Sequence, residues 1–330
     1  MNLRIISKDE ICRVASMAQT IEIVKQAFAQ LSSGHAEVPV RTQLGVAPHN
    51  GVALFMPAYL SKSDQLGIKV VAVFPNNVEQ GIPTINALVV VVDAETGQPS
   101  AVMDGTYLTA LRTGAASGAA TDLLACDATP VAAIFGAGVQ GRTQLEAICE
   151  VRAIEKVWVF DIDEASAGAY VDEMQMRGGR IPTDIVVASS ASEAVQDADI
   201  ICATTTSRTP VFDASDVRPG THINAVGGFT PDTQEIPDDI IHRAQLFVDS
   251  REACWAEAGD LIIPRAKGLI SEADIRAELG EVVSGTKQGR SDDHAITLFK
   301  SVGNAVQDVA VAAMVLDAAR KLGLGTEVEV

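Results

Sequence analysis

The chain has 330 residues, 47% hydrophobic and 21% charged, and its 43 acidic against 25 basic side chains leave a net charge of −18. That length exceeds what one hydrophobic core usually supports, so two domains are expected. The charge repels phosphate polyanions and anionic lipid surfaces, which excludes nucleic acid and membrane as partners and leaves any carboxylate or phosphate ligand to a few placed Arg, Lys or backbone N–H groups.

Residues 8–34 carry one helical stripe, Ile11, Val14, Met17, Ile21, Val24, Phe28 and Leu31, closed by Gly34. Strand patterns follow at 38–46, 52–56, 66–74 and 87–92, separated by turns such as Pro48-His49-Asn50-Gly51, so this part reads as an antiparallel sheet with one helix packed on it. Residues 104–125 read as a long helix crowded with Ala, Gly and Ser, a composition that lets another backbone approach closely. After the break at Asp127-Ala128-Thr129-Pro130 the rhythm changes. Strands at 131–135, 156–161, 185–188, 200–204, 222–226 and 246–248 alternate with helices after Gly141, at 164–177 and before Ala198. Residues 298–322 read as an alanine-rich helix that returns to the first domain.

The predicted fold is therefore α/β, with a doubly wound parallel-sheet domain over 126–299 and a discontinuous, sheet-rich α+β domain from 1–125 and 300–330. The five cysteines (Cys12, Cys126, Cys149, Cys202, Cys254) form neither a C-x-x-C pair nor a zinc-spaced cluster, which points to a reducing compartment and no metal site. The first ten residues lack the apolar core of a signal peptide, and the longest apolar run, 87–92, is far short of a membrane span. A cytoplasmic protein is expected.

Gly136-Ala137-Gly138-Val139-Gln140-Gly141 directly follows an apolar strand and opens a helix, the context in which a G-x-G-x-x-G turn binds a dinucleotide. Gly136 permits the tight turn, Gly138 lets a phosphate approach the backbone, and Gly141 lets the helix pack on the strand. The next strand ends in Asp161, twenty residues past Gly141, where a carboxylate accepts hydrogen bonds from ribose hydroxyls and repels a 2′-phosphate. Ile162-Asp163-Glu164 offers no arginine to compensate, so a Rossmann domain preferring NAD(H) over NADP(H) is predicted.

Elsewhere, Lys69 shares a strand face with Val71 and Val73. Such a lysine either snorkels to solvent or is buried with a partner, and burial lowers its pKa toward that of a useful proton donor. Arg41, in the first predicted strand, and Arg112, in the small-residue helix, are each able to clamp a carboxylate, and equally able to be solvated or ion-paired. His222, His242 and His294 have no carboxylate spacing that suggests a metal or a triad, and read as structural.

Together these segments resemble the ornithine cyclodeaminase and mu-crystallin family over essentially the whole chain. The resemblance rests on Val38-Pro39-Val40-Arg41, Gly67-Ile68-Lys69-Val70, Gly81-Ile82-Pro83-Thr84, the stretch Leu108 to Ser117, the Gly136–Gly141 turn and His222-Ile223-Asn224-Ala225-Val226-Gly227. It implies a homodimer, formed through the sheet-rich domain, with substrate in a cleft between the domains. It implies that Arg41 and Arg112 hold a substrate carboxylate, that Lys69 stands near the reacting nitrogen, and that Thr84, Arg112, Val139, Gln140 and Asp161 contact the dinucleotide, with Asn224, Ala225 and Val226 on its nicotinamide side. The family's cyclodeaminases carry an aspartate right after Ala-Val-Gly-Gly, where this chain has Phe229, and Asp232 lies three residues on. The likeness is therefore to the reductase branch, which reduces small cyclic or linear 2-imino acids such as Δ1-pyrroline-2-carboxylate to L-amino acids. Ornithine cyclodeamination, alanine dehydrogenation and a crystallin-like dinucleotide-binding role are the alternatives.

Overall fold

A computed structural model describes residues 1–77 and 80–330. The chain divides into two compact units, Met1–Arg112 with Asn304–Val330, and Thr113–Gly303. The first changeover falls inside the Gly105–Leu124 helix, which the sequence pattern assigns whole to the first domain.

In the first unit, strands run in the order Thr326–Glu329, Asn2–Ile6, Pro99–Asp104, Ile85–Val92, Gln65–Val73, Gly51–Leu60, Ala36–Glu37, with Thr42–Val46 also paired to Gly51–Leu60. All neighbours are antiparallel except Asn2–Ile6 and Pro99–Asp104. The Ala305–Leu322 helix packs on this sheet, Val306, Val309 and Ala310 meeting Leu54, Met56, Ala58 and Val71. Gly67 permits that approach, because a Cβ there would lie 3.2 Å from Val309 and 2.7 Å from the Val90 carbonyl oxygen.

Three expectations change here. The single helix over 8–34 is two, Lys8–Val14 and Met17–Ser32, because Ser16 is extended and its hydroxyl accepts the Gln19 N–H at 3.3 Å, starting a new helix. The strand over 38–46 begins only at Thr42, so Arg41 lies just before it and not within it. The helix over 298–322 is a strand, Thr297–Lys300, followed by the helix Ala305–Leu322 capped by Asn304.

In the second unit, eight parallel strands run in the order Asp184–Val187, Lys156–Phe160, Val131–Phe135, Ile200–Ala203, His222–Ala225, Thr297–Lys300, Gln245–Val248, Ile275–Glu278. From Val131–Phe135 the chain first builds outward on one side and then returns to its other side. That makes the gap between Val131–Phe135 and Ile200–Ala203 a topological switch point. Ala133 and Phe135 enter one core while Ala132 and Ile134 enter the other, so the strand is buried on both faces and reads as a continuous apolar run.

Candidate active site

The glycine turn lies at the carboxyl end of Val131–Phe135. Gly136 has φ +95°, and a Cβ on it would lie 2.8 Å from the Thr204 hydroxyl oxygen. A Cβ on Gly141 would lie 2.3 Å from the Gly136 carbonyl oxygen, so helix and strand close tightly. Gly138 differs, because a Cβ there would meet nothing within 4 Å. It is the N-cap of the Val139–Val151 helix and leaves that helix end without a side-chain cap. Open space in front of free backbone N–H groups fits a pyrophosphate.

Asp161 stands beside the turn, its Oδ2 accepting the Ala137 N–H at 2.7 Å and its Oδ1 the Asp163 N–H at 2.9 Å. A carboxylate has further lone pairs for ribose hydroxyls. Arg142, the arginine of the turn, donates to Glu173 at 2.7 Å and to the Ala137 carbonyl at 2.5 Å, so its charge is spent within the protein. Val139 is exposed, and the Gln140 side-chain oxygen is buried without a hydrogen-bond partner. These residues fit a nicotinamide dinucleotide.

On the far side of the switch point, Asn224 is fully buried, its amide donating to the Thr121 hydroxyl at 3.0 Å and its oxygen 3.2 Å from His222. Its side chain is thus committed to the core, which leaves its backbone for any ligand. Ala225 is also buried, and Val226 is 9% exposed. Burial pushes His222 down to about 3, with Arg290 adding to the effect, so it is a neutral structural group. Phe229 packs against the core, while Asp232 is exposed, accepts from Thr230 at 2.7 Å and pairs with Arg208 at 3.2 Å. The Thr230 hydroxyl holds the Asp232 carboxyl below its usual range, which suits a surface anion and not a proton-transfer base.

The first unit contains an ionic cluster of its own. Lys69 lies on Gln65–Val73, a central strand flanked by Gly51–Leu60 and Ile85–Val92, and is 1% exposed. It does not snorkel. Its ammonium is 2.8 Å from Oδ2 of Asp308, whose Oδ1 accepts from Nε of Arg112 at 3.0 Å. Arg112 also donates from Nη1 to the Gln307 side-chain oxygen at 2.6 Å, so two of the five donors of its guanidinium are used. Burial pushes Lys69 down, the charge of Arg112 adds to that, Asp308 opposes it, and the result is about 7; Arg41 acts in the same sense as Arg112. Burial alone would raise Asp308, yet Arg112 and Lys69 together hold it below the usual carboxylate range. An ammonium poised near neutrality beside two guanidinium groups can hold an anion and exchange a proton with it.

Asp308 was not singled out in the sequence. The signal was present: Gln307-Asp308 interrupts an apolar helix between Val306 and Val309, and every one of those four residues is buried. Thr84 lies in the same unit, just before Ile85–Val92, its carbonyl accepting the Phe74 N–H at 2.8 Å. Among the described residues, no group of three or more His, Cys, Asp or Glu is placed to hold a metal, and no helix is long and apolar enough to cross a membrane.

The sequence pattern of the ornithine cyclodeaminase/mu-crystallin family matches residues 2–322. The chain belongs to that family. Its relatives include a Δ1-pyrroline-2-carboxylate reductase of Bacillus cereus, 40% identical over 326 residues that make up 98% of this chain and 99% of that protein. Among solved structures, the family fold is shared with the Thermococcus litoralis Δ1-pyrroline-2-carboxylate reductase in complex with NADH and L-proline (44% identity, TM-score 0.95, 98% of this chain and 100% of that one). An archaeal alanine dehydrogenase dimer with bound NAD is 37% identical, with a TM-score of 0.92 over 100% of this chain and 99% of that one.

Proposed function

We propose that this member of the family is an NAD(H)-dependent reductase of small 2-imino acids, of the Δ1-pyrroline-2-carboxylate and ketimine type, yielding L-amino acids. The observation that carries the reading is the buried Lys69–Asp308–Arg112 cluster, which pairs a proton donor near neutrality with an anion-binding guanidinium. The names of the similar reductases support it.

A bound nicotinamide dinucleotide supplies the hydride. Arg41 and Arg112 hold the substrate carboxylate, which orients the C=N carbon, an effect of positioning more than of charge. Lys69, as the ammonium, gives its proton to the imine nitrogen while the carbon gains the hydride, and as the free amine it takes that proton back in amino-acid oxidation. Gly136, Gly138, Val139, Gln140, Gly141 and Asp161 hold the dinucleotide, with Thr84, Arg112, Ala225 and Val226 completing its contacts. Asn224 contributes only backbone.

An assay of NADH oxidation with Δ1-pyrroline-2-carboxylate, Δ1-piperideine-2-carboxylate, and pyruvate plus ammonia tests the assignment. Stoichiometric NADH consumption with at least one of them is expected. Release of ammonia from L-ornithine without net NADH consumption would identify a cyclodeaminase instead, a reading that exposed Asp232 and core-packed Phe229 argue against.

We further propose that NADH is preferred to NADPH, because a 2′-phosphate would stand against Asp161 while Arg142 is engaged by Glu173. Like charges in contact cost enough that kcat/KM should be at least about tenfold higher with NADH. Asp161→Ser should narrow the gap, and a wild-type preference for NADPH would refute the role of Asp161.

Exposed Val40, Leu44 and Leu88, all in the sheet-rich unit, support a homodimer formed through that unit. The five free cysteines suit a reducing cytoplasm.

A further inference from the structure

We propose that Glu235 is a positioning residue for the nicotinamide end of the dinucleotide, holding two loops of the second unit in one shape from beneath; the inference rests on the dinucleotide reading above. Glu235, Asp260 and Lys300 are each 0% exposed. Burying three ionisable groups is costly, and well-packed apolar side chains of the same volume commonly do as well for stability. What the trio supplies here is a set of bonds to the backbone.

One carboxylate joins two loops. Oε1 of Glu235 accepts the Thr205 N–H at 2.6 Å and the Thr205 hydroxyl at 2.8 Å, in the loop after Ile200–Ala203. Oε2 accepts the Gly228 N–H at 2.6 Å, in the loop after His222–Ala225. Lys300 completes the grip, its ammonium donating to the Gly228 carbonyl at 2.6 Å and to Asp260 at 2.7 Å. Asp260 in turn accepts the N–H groups of Glu235 and Ile236 at 2.7 and 2.9 Å, so Glu235 itself is anchored.

The loops have no slack around these bonds. A Cβ on Gly227 would lie 2.2 Å from the Thr205 carbonyl oxygen, and one on Gly259 would lie 2.1 Å from that of Thr233. Both loops leave the carboxyl ends of neighbouring strands on the Ile200–Ala203 side of the switch point, the sheet end at which open parallel sheets bind their ligands. Asp161 marks the adenosine side, at the end of Lys156–Phe160, across Val131–Phe135 from these loops. The Thr205 and Gly228 loops therefore belong to the opposite, nicotinamide side.

A residue that only stabilises the fold would affect all ligands of the unit alike, whereas this role separates NADH from ADP-ribose, which lacks nicotinamide. Glu235→Gln keeps the volume but turns an NH2 toward one of two backbone donors. Dissociation constants for both ligands are to be measured by calorimetry on wild type and variant, with melting curves alongside. Loss of a bond to a charged group should weaken NADH about tenfold, with ADP-ribose within about twofold of wild type. Equal weakening of both ligands, or no change in either, overturns the proposal. Should Glu235→Gln not fold, Thr205→Val removes the hydroxyl bond to Glu235, together with the one the same hydroxyl accepts from the Ser207 N–H in its own loop, and is judged the same way: NADH weakened several-fold and ADP-ribose unchanged supports the role, and any parallel change overturns it. Wild-type protein that binds neither ligand would instead refute the dinucleotide reading itself.

Discussion

Replacing Lys69 with Met, or with Ala, is expected to lower turnover by about a hundredfold or more while leaving the dissociation constant of NADH unchanged, the size of effect that a positioned general acid contributes. Methionine approximates the volume of the lysine stem, so the Met variant separates loss of the ammonium from loss of packing. The charge that remains, Asp308 against Arg112, is still a closed pair at 3.0 Å, so the buried carboxylate keeps one cation although its Oδ2 loses the Lys69 ammonium. The wild-type pH profile carries the same claim in another form. Reduction needs the Lys69 ammonium, so kcat/KM for the imine should fall as pH rises through about 7. Oxidation of the amino acid needs the free amine and should rise through the same pH. Both limbs should vanish in the Met variant. Unchanged turnover there would reject Lys69 as the proton donor.

Asp308→Asn should have the larger effect on stability. It removes the one carboxylate between two cations, and breaking a buried ion pair by removing one partner typically costs about 3–5 kcal/mol. Urea unfolding of wild type and variant measures this directly. Wherever the variant remains folded, its Lys69 has lost the partner that opposes burial, so the limb on which imine reduction falls with rising pH should move to lower pH. A variant as stable as wild type, with the limb in place, would show that the Asp308 contacts do not govern Lys69.

The dinucleotide unit was legible in the sequence because its signals are local: an apolar strand, a glycine turn and an acidic strand end within 31 residues, Val131 to Asp161. The ionic cluster was half legible. Lys69 and Arg112 stand out as charges in apolar segments, but Asp308 reaches Lys69 across 239 positions of chain, and no spacing rule connects them. The outermost strands of the first sheet escaped for the same reason, since Asn2–Ile6 pairs with Thr326–Glu329 from the opposite end of the chain. Lys300 was read into a helix because Leu298, Phe299, Val302 and Val306 also suit a helical stripe. The break that separates strand from helix is made by Ser301, Gly303 and Asn304, and its meaning emerges only with Lys300 buried against Asp260 and the Gly228 carbonyl. The side chain of Asn224 turns into the core toward Thr121, an orientation set by strand alternation.

The central claim is hydride transfer to the C=N carbon of an anionic imine held by Arg41, Lys69 and Arg112. Its most direct test is reduction of Δ1-pyrroline-2-carboxylate with NADH carrying two deuteriums at C4 of the nicotinamide, followed by mass and NMR analysis of the product. One deuterium at C2 of L-proline for each NADH oxidised is the predicted result. Unlabelled proline, or oxidation of NADH without proline, would contradict it.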